Sequence, residues 1–97
     1  MRTIWKFPIE ITDTQEITAP EPAHVLSAGI GPGGEPCVWV EVDTDRPKVS
    51  RGIAVVGTGN PSPNANEARY VGSFVHRVDR PNSSVEFVWH IFDDEVG

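Results

Sequence analysis

Residues 24–43, "HVLSAGIGPGGEPCVWVEVD", decide the fold, because two apolar runs of similar length flank the cluster Gly31-Pro32-Gly33-Gly34. Leu26, Ala28 and Ile30 alternate along the first run. In the second, Val38, Val40 and Val42 point one way while Cys37, Trp39 and Glu41 point the other. A period of two is the period of a strand, and a knot of glycine and proline between two such runs reverses the chain. The stretch therefore reads as two antiparallel strands, His24–Ile30 and Pro36–Asp43. Trp39 shares its face with the charge of Glu41, so it reads as an exposed ring available to stack on a base or fill an interface.

The same alternation recurs on both sides. Thr3–Ile11 places Trp5, Phe7, Ile9 and Ile11 opposite Lys6, Pro8 and Glu10, and Pro8, which lacks a ladder donor, marks a sheet edge or a bulge. Further strands are expected at Glu16–Ala19, Arg51–Thr58, Tyr70–Val78 and Val85–Phe92. The last is apolar on both faces, which predicts a central position. With 9 Gly and 9 Pro spread over 97 residues, no window is left for a long helix, and only Ala65–Ala68 has room for a single helical turn. These elements predict an all-β fold, a small antiparallel β-sandwich or barrel of six to seven strands, in a single domain spanning residues 1–97.

Charge narrows the partners. The net charge is −6, from 14 acidic against 8 basic residues, so DNA binding through a basic stripe is excluded while a small anion held by a few local donors is not. The thin apolar content, 38%, makes a homo-oligomer a natural source of extra stability. Cys37 is the sole cysteine, which excludes an internal disulfide and a cysteine-based zinc site and points to a reducing compartment. No signal-peptide pattern opens the sequence and no stretch reaches membrane-spanning length, so a cytoplasmic protein without membrane contact is expected.

The segment with the most suggestive chemistry is Gly57-Thr58-Gly59-Asn60, at the end of the fifth strand. Successive amides in such a turn can converge on a phosphate, or the glycines can serve only to turn the chain. The dinucleotide fingerprint fails because Ser62 stands where a third glycine is needed and Pro61 and Pro63 forbid the following helix; the phosphate-loop motif lacks its Gly-Lys ending. If the fifth and sixth strands pair as a hairpin, Arg69 lies beside this loop, whereas Arg51 reaches such a site only across a subunit interface. His24, His76 and His90 have no metal-ligand spacing, so no metal is assigned. His90, inside an apolar strand, needs a polar partner if buried. Neither a nucleophile elbow nor a cysteine-protease signature is present, and no catalytic residue is assigned.

Ile4-Trp5-Lys6, Ile11-Thr12-Asp13, Leu26-Ser27, Pro36-Cys37-Val38-Trp39, Val42-Asp43, Gly57-Thr58-Gly59-x-Pro61-x-Pro63, Tyr70-x-Gly72 and Val88-Trp89-His90-x-Phe92 follow one another along nearly the whole chain. In this order they resemble a widespread family of small, mostly uncharacterised proteins of bacteriophages and prophages. One departure is Asn60, where the family motif carries histidine. The resemblance implies a phage product in the host cytoplasm. It leads to the expectation of a non-enzymatic, cofactor-free oligomer that sequesters a small phosphorylated, cyclic nucleotide signal of host defence. Its ligand would be held by Gly57, Thr58, Gly59, Asn60, Arg69 and Trp39. The alternative is an inhibitor that docks on a host defence protein, or a small assembly component.

Overall fold

A computed structural model describes residues 1–63 and 68–94. The helical turn expected over 65–68 lies largely outside the described residues. Seven strands follow in order: β1 (Arg2–Pro8), β2 (Thr14–Pro20), β3 (His24–Ile30), β4 (Pro36–Asp43), β5 (Lys48–Gly57), β6 (Arg69–Arg80) and β7 (Ser83–Asp93). They form two antiparallel sheets, a three-stranded one in the order β1-β4-β3 and a four-stranded one in the order β2-β5-β7-β6. The fold is thus all-β and sandwich-like, and no helix long and apolar enough to cross a membrane is present among the described residues.

The β3–β4 hairpin closes as the glycine-proline cluster predicts. The amide of Gly34 donates to the Gly31 carbonyl at 2.9 Å, and that of Gly31 to the Glu35 carbonyl at 2.7 Å. From this hairpin Val38, Val40 and Val42 face inward and are fully buried. They meet Ile53, Val55 and Ile91 from the other sheet, and Val25 and Ile17 complete the contact. Burying each such side chain contributes about 1.5–3 kcal/mol relative to leaving it exposed, so these few positions hold the two layers together.

Leu26 is a correction to the alternation. A bulge between Val25 and Ser27 inserts Leu26 as an extra residue, so Val25 is buried while Leu26 is 39% exposed; beyond the bulge Ala28 lies opposite Val38 and packs against the core, on the face the alternation predicts. One inserted residue changes the phase between the two parts of the strand, so Val25 and not Leu26 shares the inner face with Ala28, which a period count along β3 alone does not detect. In β1, Pro8 ends the strand at a sheet edge; Ile9 beyond it is buried, whereas Trp5 is partly exposed. Gly72 explains the Tyr70-x-Gly72 pair. A side chain there would meet the Ala28 carbonyl at 3.3 Å, because β3 and β6 pass backbone to backbone across the sandwich.

The most consequential feature is the inequality of strand lengths. β6 and β7 pair along their whole length, from Arg69↔Asp93 to Arg80↔Ser83, with Pro81-Asn82 as a two-residue loop. β5 pairs with β7 only from Ile53↔Asp93 to Gly57↔Trp89. The β6–β7 hairpin therefore continues past the end of β5 as an arm, in a molecule measuring 49 × 31 × 15 Å.

Candidate functional site

The turn where β5 stops is a true β-turn. Asn60 donates its amide to the Gly57 carbonyl at 3.0 Å, and Gly59 adopts φ +92° at the third position, a conformation that favours glycine. Thr58 donates its amide to the Val88 carbonyl at 3.3 Å. Two of the amides expected to converge on a phosphate are thus directed at protein carbonyls, and the segment turns the chain.

Arg69 does not sit beside this turn. β5 and β6 are separated by β7 and run parallel to each other, so the expected β5–β6 hairpin is not formed. Arg69 pairs with Asp93 and thereby aligns with Ile53, four residues from Gly57 along β5. That displacement is about 13 Å at the rise of an extended strand. Its guanidinium instead bonds the Val25 carbonyl at 2.5 Å and the Asp93 carboxylate at 3.2 Å, fastening β3 to the opposite sheet. The cause is local: only two residues separate β6 from β7, so these two form the hairpin, and doubly apolar β7 takes the central place. Arg51 reaches back to the Pro22 carbonyl at 2.9 Å. Trp39 lies on the outer face of the three-stranded sheet, half-buried, its ring 3.4 Å from where a Gly29 side chain would begin. The residues expected to share one pocket are distributed over three places.

What the turn does adjoin is Trp89. A Cβ on Gly57 would lie 3.1 Å from the Trp89 ring and 2.9 Å from the Asn60 amide nitrogen, so the missing side chain lets the indole lie against the backbone. On one side opens a cleft of about 440 Å³ lined by Ile11, Thr12, Asp13, Val55, Val56, Gly57, Asn60, Pro61 and Trp89. On the other, a notch of about 470 Å³ lies between the turn and Glu86, Phe87 and Val88. Phe87 stacks beside Trp89 with ring centroids 5.8 Å apart. The Trp89 indole nitrogen is buried and has no hydrogen-bond partner among the described residues. Such a donor costs about 1–3 kcal/mol while unsatisfied.

Thr58 also begins a row of hydrogen bonds on the outer face of the four-stranded sheet. Its hydroxyl meets His90 Nε2 at 2.7 Å, His90 Nδ1 meets the Ser73 hydroxyl at 2.7 Å, and Ser73 meets the Tyr70 hydroxyl at 2.6 Å. His90 has the partners its place in an apolar strand requires. Alternation on β6 and β7 puts Ser73 and His90 side by side, a pairing legible only once the register is known. Neither Ser73 nor His90 lines the cleft or the notch.

Elsewhere, Cys37 is buried, and burial pushes its thiol above the ordinary cysteine value. The Glu35 carboxylate is held below its ordinary value by the hydrogen bond from Lys6, 3.0 Å away, and then by its own backbone amide.

Fold and site together define a class: a small two-sheet β protein with an aromatic-floored cleft at the end of one strand and a protruding hairpin. A family model described as Domain of unknown function (DUF7352) matches residues 1–97, and the chain belongs to that family. No curated protein and no solved structure matches it significantly.

Proposed function

We propose that the protein is a non-enzymatic binding module, phage-encoded as the sequence resemblance implies, that captures a nucleobase-like ring in the cleft between Ile11–Asp13 and the Gly57–Asn60 turn. The observation that carries this reading is Trp89, whose indole lines the cleft with its six-membered ring against Gly57 and offers an aromatic wall for a base. The base packs against the indole, the Asp13 carboxylate accepts from a ring N–H or exocyclic amine, and the Asn60 side-chain amide offers both a donor and an acceptor. A volume of about 440 Å³ is within the usual range for small-ligand sites, and it suits one base with its sugar.

Cyclic nucleotide signals of a bacterial host are the ligand class that joins this chemistry to the phage setting. The phosphate contributes little to such capture: the residues lining the cleft include Asp13 and neither arginine nor lysine, and Arg69 is fastened elsewhere. The base is therefore the recognised part, with phosphates directed to solvent.

Isothermal calorimetry with nucleosides, cyclic mononucleotides and cyclic dinucleotides tests this. Binding is expected for one base type, with nucleoside and cyclic nucleotide within a few-fold of each other. Asp13→Ala, which deletes the carboxylate acceptor in the cleft, weakens it about tenfold, the equivalent of one hydrogen bond. Absence of binding across the panel overturns the proposal, and binding that requires phosphate moves the site away from this cleft.

A further inference from the structure

The arm presents a stretch of open sheet edge that the rest of the molecule avoids. Thr58 bonds the Val88 carbonyl and Asp94 the Gly52 carbonyl, so the even-numbered residues of β7 turn their backbone groups toward β5. β5 ends at Gly57↔Trp89, and the backbone N–H and C=O of Ser84 and Glu86 face the same way with no strand beside them among the described residues. The notch lined by Phe87, Val88 and the Gly57–Asn60 turn lies at this point.

Open edges invite strand addition, and proteins guard them with proline, bulges or charge. The other edges here carry such guards. β1 has Lys6 and Pro8, β2 has Glu16 and ends in Pro20, β3 is bulged at Leu26, and β6 is bulged between Tyr70 and Gly72 and carries Arg69, Arg77, Asp79 and Arg80. Ser83–Val88 has no proline, no bulge and a single charge, Glu86, and exposes Phe87 and Val88 beside it.

We propose that this edge is filled by a second copy of the chain, β7 against β7, antiparallel about a two-fold axis at Val85. Charge favours a second copy. Along the arm Arg77 and Arg80 balance Asp79 and Glu86, so the net charge of −6 resides in the rest of the molecule and the arm is where two copies meet without repulsion. Register favours it as well. With the axis at Val85, Ser84 of one copy lies opposite Glu86 of the other, and the open backbone groups of both exchange hydrogen bonds in both directions. An axis at Glu86 sets the two carboxylates face to face, which is unfavourable. An axis at Ser84 brings Glu86 opposite Asn82 in the turn and leaves its ladder groups unmatched. In the chosen register Phe87 is covered by Ser83 of the second copy, and the Pro81-Asn82 tip reaches toward the second copy's Gly57–Asn60 turn.

Analytical ultracentrifugation of the whole chain tests the proposal. Wild type is expected at twice the 10.6 kDa chain mass. Glu86→Pro removes a donor that faces away from β6, so it raises the dimer dissociation constant at least tenfold while far-ultraviolet circular dichroism keeps its β signature. Val85→Cys, placed on the axis, forms an intermolecular disulfide under mild oxidation; wild type, whose Cys37 is buried, does not. A monomer at all concentrations overturns the proposal, including a monomer that instead takes up an extended peptide of another protein at this edge. So does a dimer that is unchanged by Glu86→Pro and fails to crosslink through Val85→Cys. These outcomes are independent of whether a ligand binds the cleft.

Discussion

The body of the sandwich and the β6–β7 arm are written in the same residue alphabet and meet different fates. In the body, Val25, Val38, Val40, Val42, Ile53 and Ile91 are fully buried, because each sheet has the other to cover it. In the arm, where the three-stranded sheet does not extend, Phe87 remains 37% exposed although it shares the face of Ile91, and Val75 (50%) and Val88 (41%), paired on the outer face, are uncovered as well. Alternation of apolar residues therefore specifies a strand and its faces, whereas burial depends on whether a second layer reaches that far. The part of the molecule left uncovered is the part free to act on something else.

The contrast breaks most sharply by truncating one residue of each kind. Ile53→Ala removes a side chain enclosed by both sheets and is expected to cost about 2–5 kcal/mol, enough to endanger folding of a small domain. Val75→Ala, on the outer face of the arm, is expected to cost less than about 1 kcal/mol, mostly strand preference. Urea denaturation followed by circular dichroism measures both; comparable losses would mean that the arm is packed as tightly as the body.

Arg69 sharpens the comparison at an intermediate scale. It was expected beside the Gly57 turn, where arm and body meet, and it serves the body instead by joining the Val25 carbonyl to Asp93 across the sheets. Arg69→Ala removes two bonds to a largely buried end of the sandwich and is expected to cost about 1–2 kcal/mol, given that Asp93 retains other interactions. Affinity for a ligand in the cleft is expected to stay within twofold. A tenfold loss of affinity with unchanged stability would restore the arginine to the site.

The strands were legible because glycine and proline bracket them and valine alternates within them; β3 and β4 were read to the residue. The central place of β7 was legible from its two apolar faces. The bulge at Leu26 was not, since an inserted residue leaves no mark in a single strand's sequence and is imposed by pairing with β4. Nor was the order β2-β5-β7-β6, because strand order arises from tertiary competition for the central place, and the error over Arg69 follows directly from it. Of the six residues expected to hold a ligand, Gly57 and Asn60 line the cleft; Trp89, Ile11 and Asp13, which also line it, come from separate strands and connections that no single stretch of sequence brings together. Trp89 alternates with Val85, Phe87 and Ile91 on one face of its strand, which marks a packing residue and not a cleft wall, and its unsatisfied nitrogen has no signature in sequence.

Acid distinguishes the body from the arm by the smallest effect. Glu35, in the turn that closes the β3–β4 hairpin, has its carboxyl held below the ordinary value first by Lys6 and then by its own amide. Asp43, at the end of β4, is lowered first by the Asp45 amide and then by the terminal amine. A carboxylate whose folded value is depressed binds protons less readily folded than unfolded, so its stabilising contribution is complete above the unfolded value and fades as pH falls through the folded one. Both groups belong to the three-stranded sheet, and both lose their contribution below about pH 4, the ordinary carboxylate range. Lys6→Met deletes the main cause of the Glu35 shift, so between about pH 6 and about pH 3 its urea midpoint should fall less than that of wild type. Equal falls in the two proteins would show that the Lys6–Glu35 pair, exposed as it is on the sheet's outer face, contributes nothing measurable to the body it decorates.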